Sequence, residues 1–130
     1  MPKRFYLSTR KNSSARAEAL LEALKASGWQ RTFDWTDWGN IGSARYAELA
    51  SAEIAAVKEA DVLVVLLPGG FGTHVEIGAA LALKKPVIIH APDHETLETP
   101  YACIFHYHPQ VKLIVSEVLD VDKMLACMPS

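Results

Sequence analysis

A chain of 130 residues, half of them hydrophobic and with a formal charge of −2, has the size and composition of one globular domain with its own core. The near-balanced charge gives no electrostatic reason to expect polymeric nucleic acid or an anionic membrane as partner. No apolar run approaches the roughly 20 residues that a bilayer-spanning helix needs.

The N-terminus carries no apolar signal segment. The two cysteines, Cys103 and Cys127, lack metal spacing and read as small core residues, so a cytoplasmic protein with reduced thiols is expected. Phe5 to Ser8 reads as a first strand, followed by a polar turn through Ser14. An Ala/Leu-rich helix is expected from Ala15 to Ser27, with Leu20, Leu21 and Leu24 on one face and Gly28 as its stop. Gln30 to Trp35 reads as a short second strand, and Asp34 to Ser43, rich in Trp, Asp and Gly, as a loop. A second helix is expected from Ala44 to Ala60, with Leu49, Ile54 and Val57 inward and Glu48, Lys58 and Glu59 outward.

From Val62 to Leu67, after Asp61 at the strand's start, the chain is continuously apolar. Such a run marks a strand buried on both faces, as in a parallel sheet covered by helices. Beyond Pro68-Gly69-Gly70-Phe71-Gly72 a third helix is expected from Thr73 to Lys84, then strands from Pro86 to His90 and Val111 to Val115, and a last helix from Glu117 to Cys127. Strands alternating with helices imply βαβ units with right-handed crossovers. The expected fold is therefore a single-domain, flavodoxin-like α/β architecture: a doubly wound five-stranded parallel sheet with helices on both faces. In such sheets a ligand sits outside the carboxyl ends of the strands, where strand order reverses. That point would gather the loops after Tyr6, Trp35 and Leu67.

The turn at Pro68 to Thr73 is the most informative stretch. Gly69, Gly70 and Gly72 allow positive φ and a close approach to a ligand. The free N–H groups of the following helix favour an anion. Thr73 is a good N-cap and Glu76, three residues on, completes the capping-box pattern Thr-x-x-Glu, so a purely structural role for Glu76 stands beside a functional one. The surplus of glycine and the flanking buried strand favour the functional reading. The turn is neither a Walker A loop nor a dinucleotide-binding fingerprint. A carboxylate held above a cleft can attack an anomeric carbon, with a second carboxyl assisting the leaving base, and this chemistry needs neither metal nor cofactor.

In order and spacing, Phe5-Tyr6-Leu7-Ser8, Ala60-Asp61, Gly72-Thr73-His74-Val75-Glu76-Ile77-Gly78-Ala79-Ala80 and Lys85-Pro86-Val87-Ile88-Ile89 resemble the nucleoside 2-deoxyribosyltransferase family. That family includes base-exchanging transferases and relatives that hydrolyse the N-glycosidic bond of nucleoside 5′-monophosphates. The resemblance implies that Glu76 is the nucleophile toward C1′ and that the Tyr6 hydroxyl positions it. It also implies that Glu53 stands in for an aspartate that serves the base or donates a proton; an exposed helix carboxylate is the other reading of Glu53. The family further implies a homo-oligomer in which a neighbouring C-terminal segment completes the pocket, with His106-Tyr107-His108-Pro109 as a candidate. Gly70 occupies the place where true transferases often carry an aspartate, and nucleotide hydrolases a small residue that leaves room for phosphate. The turn is also locally similar to the Pro-Gly-Gly-x-Gly-Thr-x-x-Glu loop of the cytokinin-activating phosphoribohydrolases.

Ser8, Arg10 and Lys11 would complete a phosphate cradle with Gly69, Gly70, Gly72 and Thr73, or else form a solvated basic turn. Trp35 would stack on a nucleobase and Asp37 accept from its amino group, unless the Trp-rich loop is a small core or a dimer contact. His74 stands at the mouth of the site, as a substrate contact or a surface helix residue, and the other histidines show no metal spacing. The expected function is an N-glycosidase, with hydrolysis of a nucleoside 5′-monophosphate ahead of nucleoside cleavage or base exchange. The alternatives are a catalytically silent nucleotide-binding protein of the same fold, or an NAD glycohydrolase.

Overall fold

The strands Lys3–Thr9 (β1), Trp29–Arg31 (β2), Val62–Leu66 (β3), Val87–Ala91 (β4) and Val111–Val115 (β5) form one sheet in a computed structural model that describes residues 3–10, 14–98, 100 and 102–130. Every pairing is parallel and the order is β2-β1-β3-β4-β5, the flavodoxin-like order expected. The β1–β3 register runs from Phe5 opposite Val62 to Thr9 opposite Leu66. Strand order reverses beside this pair, so its carboxyl ends form the switch point.

Helices Ala15–Ala26 (α1) and Val121–Cys127 (α5) cover one face, and Tyr46–Glu59 (α2) and Phe71–Ala82 (α3) the other. Side chains alternate across a strand, and β1 divides accordingly. Phe5 and Leu7 join Ala17, Leu20 and Leu24 of α1 in one core; Tyr6 joins Leu49 and Val57 of α2 and Ile77 of α3 in the other. β3 and β4 are buried along their whole length, as their apolar runs require. Gly28, at φ 88°, ends α1 as expected. Among the described residues no helix is long and apolar enough to cross a membrane.

Several boundaries differ from the sequence reading. β2 stops at Arg31, because the Asp34 side chain accepts from Thr36 N–H at 2.9 Å and turns Trp35–Asp37 into a 3-10 helix. α2 starts at Tyr46, after a 3-10 turn at Ser43–Arg45. Its Ile54 is exposed, since five residues beyond Leu49 place it about 140° off the buried stripe. The last helix starts at Val121, where Asp120 caps it by accepting from Lys123 N–H at 3.1 Å. A short helix at Glu95–Glu98 (α4) and a 3-10 turn at Ile104–Tyr107 were not foreseen.

Candidate active site

α3 begins three residues before the Thr-x-x-Glu pattern implies. Gly70 is its N-cap, without a side-chain cap bond, and Thr73 already lies inside the first turn. The capping box is therefore not formed, and it does not account for Glu76. The buried stripe of α3 is Thr73, Glu76, Ile77 and Ala80, at helical spacing. Glu76 thus occupies a core-facing position and is only 6% exposed. A carboxyl group placed there needs partners.

Those partners come from β1, on the strand face that looks toward α3. The Tyr6 hydroxyl donates to Glu76 Oε2 at 2.6 Å and the Ser8 hydroxyl donates to Oε1 at 2.5 Å. With its one proton committed, Ser8 accepts from the Thr73 hydroxyl at 3.0 Å. The same hydroxyl also meets a second carboxyl group: Glu53 Oε1 of α2 lies 3.1 Å from the phenol oxygen. One phenolic proton cannot serve both carboxyl groups, so the Glu53 contact is a hydrogen bond only when a carboxyl carries a proton. Burial and the hydrogen bond with Glu53 raise the Glu76 pKa to about 7, against the pull of the Ser8 and Tyr6 donors. Burial, reinforced by the Glu76 charge, drives the Tyr6 phenol upward as well, so it remains a donor at neutral pH.

A cavity of about 170 Å³ opens directly on this cluster. Its wall brings together Ser8, Arg10, Trp35, Glu53, Gly70, Gly72, Thr73 and Glu76. Glu53 is therefore a half-buried wall residue and not a free surface carboxylate. Arg10 also donates to the Gly69 carbonyl at 3.4 Å. Lys11 lies outside the described residues.

The glycines act differently from expectation. Positive φ occurs at Gly28 and Gly39, and at none of Gly69, Gly70 and Gly72. Gly69 is required by contact instead: a Cβ there would sit 2.5 Å from Thr73 Cγ2. At Gly70 a Cβ would meet only open space.

The Trp-rich loop splits its roles. Trp35 is at the cavity wall, 39% exposed, with its ring edge-on to Phe33 at 5.8 Å. Trp38 stacks on Phe33, which stacks on Tyr6, and this is the small core. Asp37 is exposed and does not line the cavity, because the Asp34 cap turns the chain there.

His74 does not line the cavity either. Its Nδ1–H donates to Gly70 O at 2.8 Å and its Nε2 faces His106 Nε2 at 3.0 Å. His106 is buried, which, with His74 nearby, lowers its pKa. His74, Cys103 and His106 each bring a ligand-type atom within 4.8 Å of the other two. Sequence reading passed over the signal for this cluster, the Cys-x-x-His spacing at 103–106. Cys103 and Cys127 are half-buried, not core residues in full.

Asp61 is a strand-start residue as read, accepting from Arg4 N–H at 2.9 Å. At the same sheet edge on the opposite face, sequence reading missed a second buried group. His90 is fully buried; Arg16 donates to its Nδ1 at 2.9 Å and its Nε2–H donates to Ser116 O at 3.0 Å.

The family profile for nucleoside 2-deoxyribosyltransferase matches residues 5–124. Among solved structures, the CMP N-glycosidase BcmB of Clostridium botulinum is 25% identical at a TM-score of 0.63, covering 95% of this chain and 96% of its own. The 2-deoxyribosyltransferase of Bacillus psychrosaccharolyticus is 15% identical at a TM-score of 0.62, covering 93% of this chain and 89% of its own, and shows the shared fold. A search of the curated proteins found no match.

Proposed function

The chain belongs to the nucleoside 2-deoxyribosyltransferase family, a family of enzymes, and from that premise we propose that it is a single-domain N-glycosidase that hydrolyses a nucleoside 5′-monophosphate. One observation carries the reading. Glu76 is held at both oxygens by Tyr6 and Ser8, beside the second carboxyl group of Glu53, at the wall of a cavity that also presents Arg10.

The chemistry follows from these positions. Two hydroxyl donors fix the Glu76 carboxylate and prevent rotation, so that its attack on C1′ is an oriented, effectively unimolecular step. The new C1′–O bond forms as the N-glycosidic bond breaks, and the bond's electron pair leaves with the base. The proton that burial holds on the carboxyl pair passes to Glu53 as Glu76 ionises, and Glu53 delivers it to the departing base. Water then attacks C1′, its proton returning to Glu53, and releases Glu76 with ribose 5-phosphate. The atoms balance without any metal or cofactor.

The 5′-phosphate is supported by the Arg10 guanidinium on the cavity wall and by the open space at Gly70, where an aspartate would occupy the room and repel an anion. The start of α3, where Gly70 and Gly72 line the cavity, favours an anion as well. Trp35 supplies an aromatic wall for the base, and the likeness to a CMP N-glycosidase makes a pyrimidine nucleotide the first substrate to try. Exposed Phe71, Val75, Ile104, Phe105 and Tyr107 support a homo-oligomer.

The test is a panel of nucleosides, 5′-monophosphates and NAD, scored for free base by chromatography. Free base from a 5′-monophosphate, and less from the matching nucleoside, is the expected result. Tight nucleotide binding with no base released would instead mark a silent nucleotide-binding protein, and release from NAD alone would mark an NAD glycohydrolase.

A further inference from the structure

The cluster of His74, Cys103 and His106 is not used by this chemistry, since none of the three lines the Glu76 cavity. The 3-10 turn after β4 brings Cys103 and His106 together. Such a helix has about three residues per turn, which stacks positions i and i+3, and the His106 N–H donates to Cys103 O at 3.2 Å. His74 approaches from the first turn of α3. Its Nδ1–H is committed to Gly70 O at 2.8 Å, so its Nε2 carries a lone pair, and that lone pair faces His106 Nε2 at 3.0 Å.

Donation of one ring N–H to a backbone carbonyl is the usual way a ligating histidine is oriented. Two nitrogens bound about 2.05 Å from one tetrahedral ion lie roughly 3.3 Å apart, so the observed pair needs only a few tenths of an ångström to open around an ion. The His106 ring is 4% exposed, and its Nε2 meets His74 Nε2 as its polar contact. A single neutral N–H···N contact offsets little of the cost of burying an imidazole, whereas ligation of a cation offsets much of it. Two imidazoles and a thiol form a donor set suited to a borderline-soft ion.

We propose that His74, Cys103 and His106 bind one divalent cation of the zinc class, separate from the glycosidic centre. Both imidazoles bind as neutral rings, the Cys103 thiol proton leaves to solvent, and water takes the fourth position. Through His74 the ion would tie the Gly70 turn to the segment after β4.

The test is a titration of the full, metal-stripped, reduced chain with Co²⁺ and then Zn²⁺. We expect one equivalent of Co²⁺ to give a thiolate-to-cobalt charge-transfer band that Zn²⁺ abolishes, and Zn²⁺ to raise the Tm. Cys103→Ser removes the band, and Cys103→Ser and His74→Ala each weaken Zn²⁺ binding roughly tenfold or more. Melts of both variants in EDTA show whether each folds without metal. Co²⁺ binding without a thiolate band, Zn²⁺ affinity unchanged in both folded variants, or no saturable binding near equimolar metal would each overturn the proposal and leave an ordinary His–His hydrogen bond. None of these readouts depends on N-glycosidase activity.

Discussion

Glu76 and His90 are both buried ionisable groups at the carboxyl edge of one sheet, on opposite faces, and they are solved in opposite ways. Both nitrogens of His90 are matched, one to Arg16 and one to Ser116, and Arg16 closes the arrangement by donating to Leu67 O at 2.6 Å. Glu76 has matched oxygens too, but its donor Tyr6 is contested by Glu53, and the group faces a cavity. A polar network whose donors and acceptors balance rigidifies a fold. One that is a proton short in its ionised state, at the edge of a cavity, is where a proton and a substrate can enter. Burial alone did not distinguish the two sites; the count of protons did.

The comparison is broken most severely at Glu76. Glu76→Gln keeps the shape and removes the proposed nucleophile, and base release should fall by about 10³-fold or more while the protein stays folded. Tyr6→Phe leaves the carboxylate but frees it to rotate, and a loss in kcat of roughly 10²-fold with KM little changed is expected from steady-state assays. His90→Ala should do the reverse. It leaves the half-buried Arg16 donor without its imidazole acceptor and costs about 1–3 kcal/mol by denaturant unfolding, while turnover per folded molecule holds. Arg10→Ala should raise KM for a 5′-monophosphate roughly tenfold and leave the nucleoside unaffected, which separates phosphate binding from chemistry.

A further effect is in stability against pH, and it has opposite signs at the two sites. The Glu76 pKa is raised in the fold from 4.5 to about 7, so it contributes stability below about 4.5 that is lost as pH rises through 7. The His90 pKa is lowered from 6.5, first by burial, so its contribution is present above 6.5 and is lost as pH falls through the folded value. Melts in EDTA should therefore show Glu76→Gln gaining on the parent protein from pH 5 to pH 8, by about 1–3 kcal/mol. The deficit of His90→Ala should shrink as pH drops below 6.5.

The parts of this account that were legible in the sequence share a physical cause. Continuous apolar strands and helical periodicity report burial directly, so the sheet, its order and most of α1 to α3 could be read. Boundaries failed where one side chain captured a backbone N–H, at Asp34 and Asp120, because that contest is local and leaves the hydrophobic pattern unchanged. Tyr6, Ser8, Glu53 and Glu76 could be singled out, but the bonds joining them cross 47 to 70 residues and depend on strand register. The Thr-x-x-Glu pattern misled because α3 starts at Phe71, earlier than the pattern marks. His74 and His106 are likewise 32 residues apart, and only the fold makes them neighbours.

The proposed bond from Glu76 to C1′ can be caught by rapid quench of the enzyme with a reactive 5′-monophosphate, followed by peptide mass analysis. A transient 5-phosphoribosyl ester on the peptide carrying Glu76 is expected, formed as free base appears and absent in Glu76→Gln. An adduct on another residue, or free base released by Glu76→Gln at the parent rate, would contradict it.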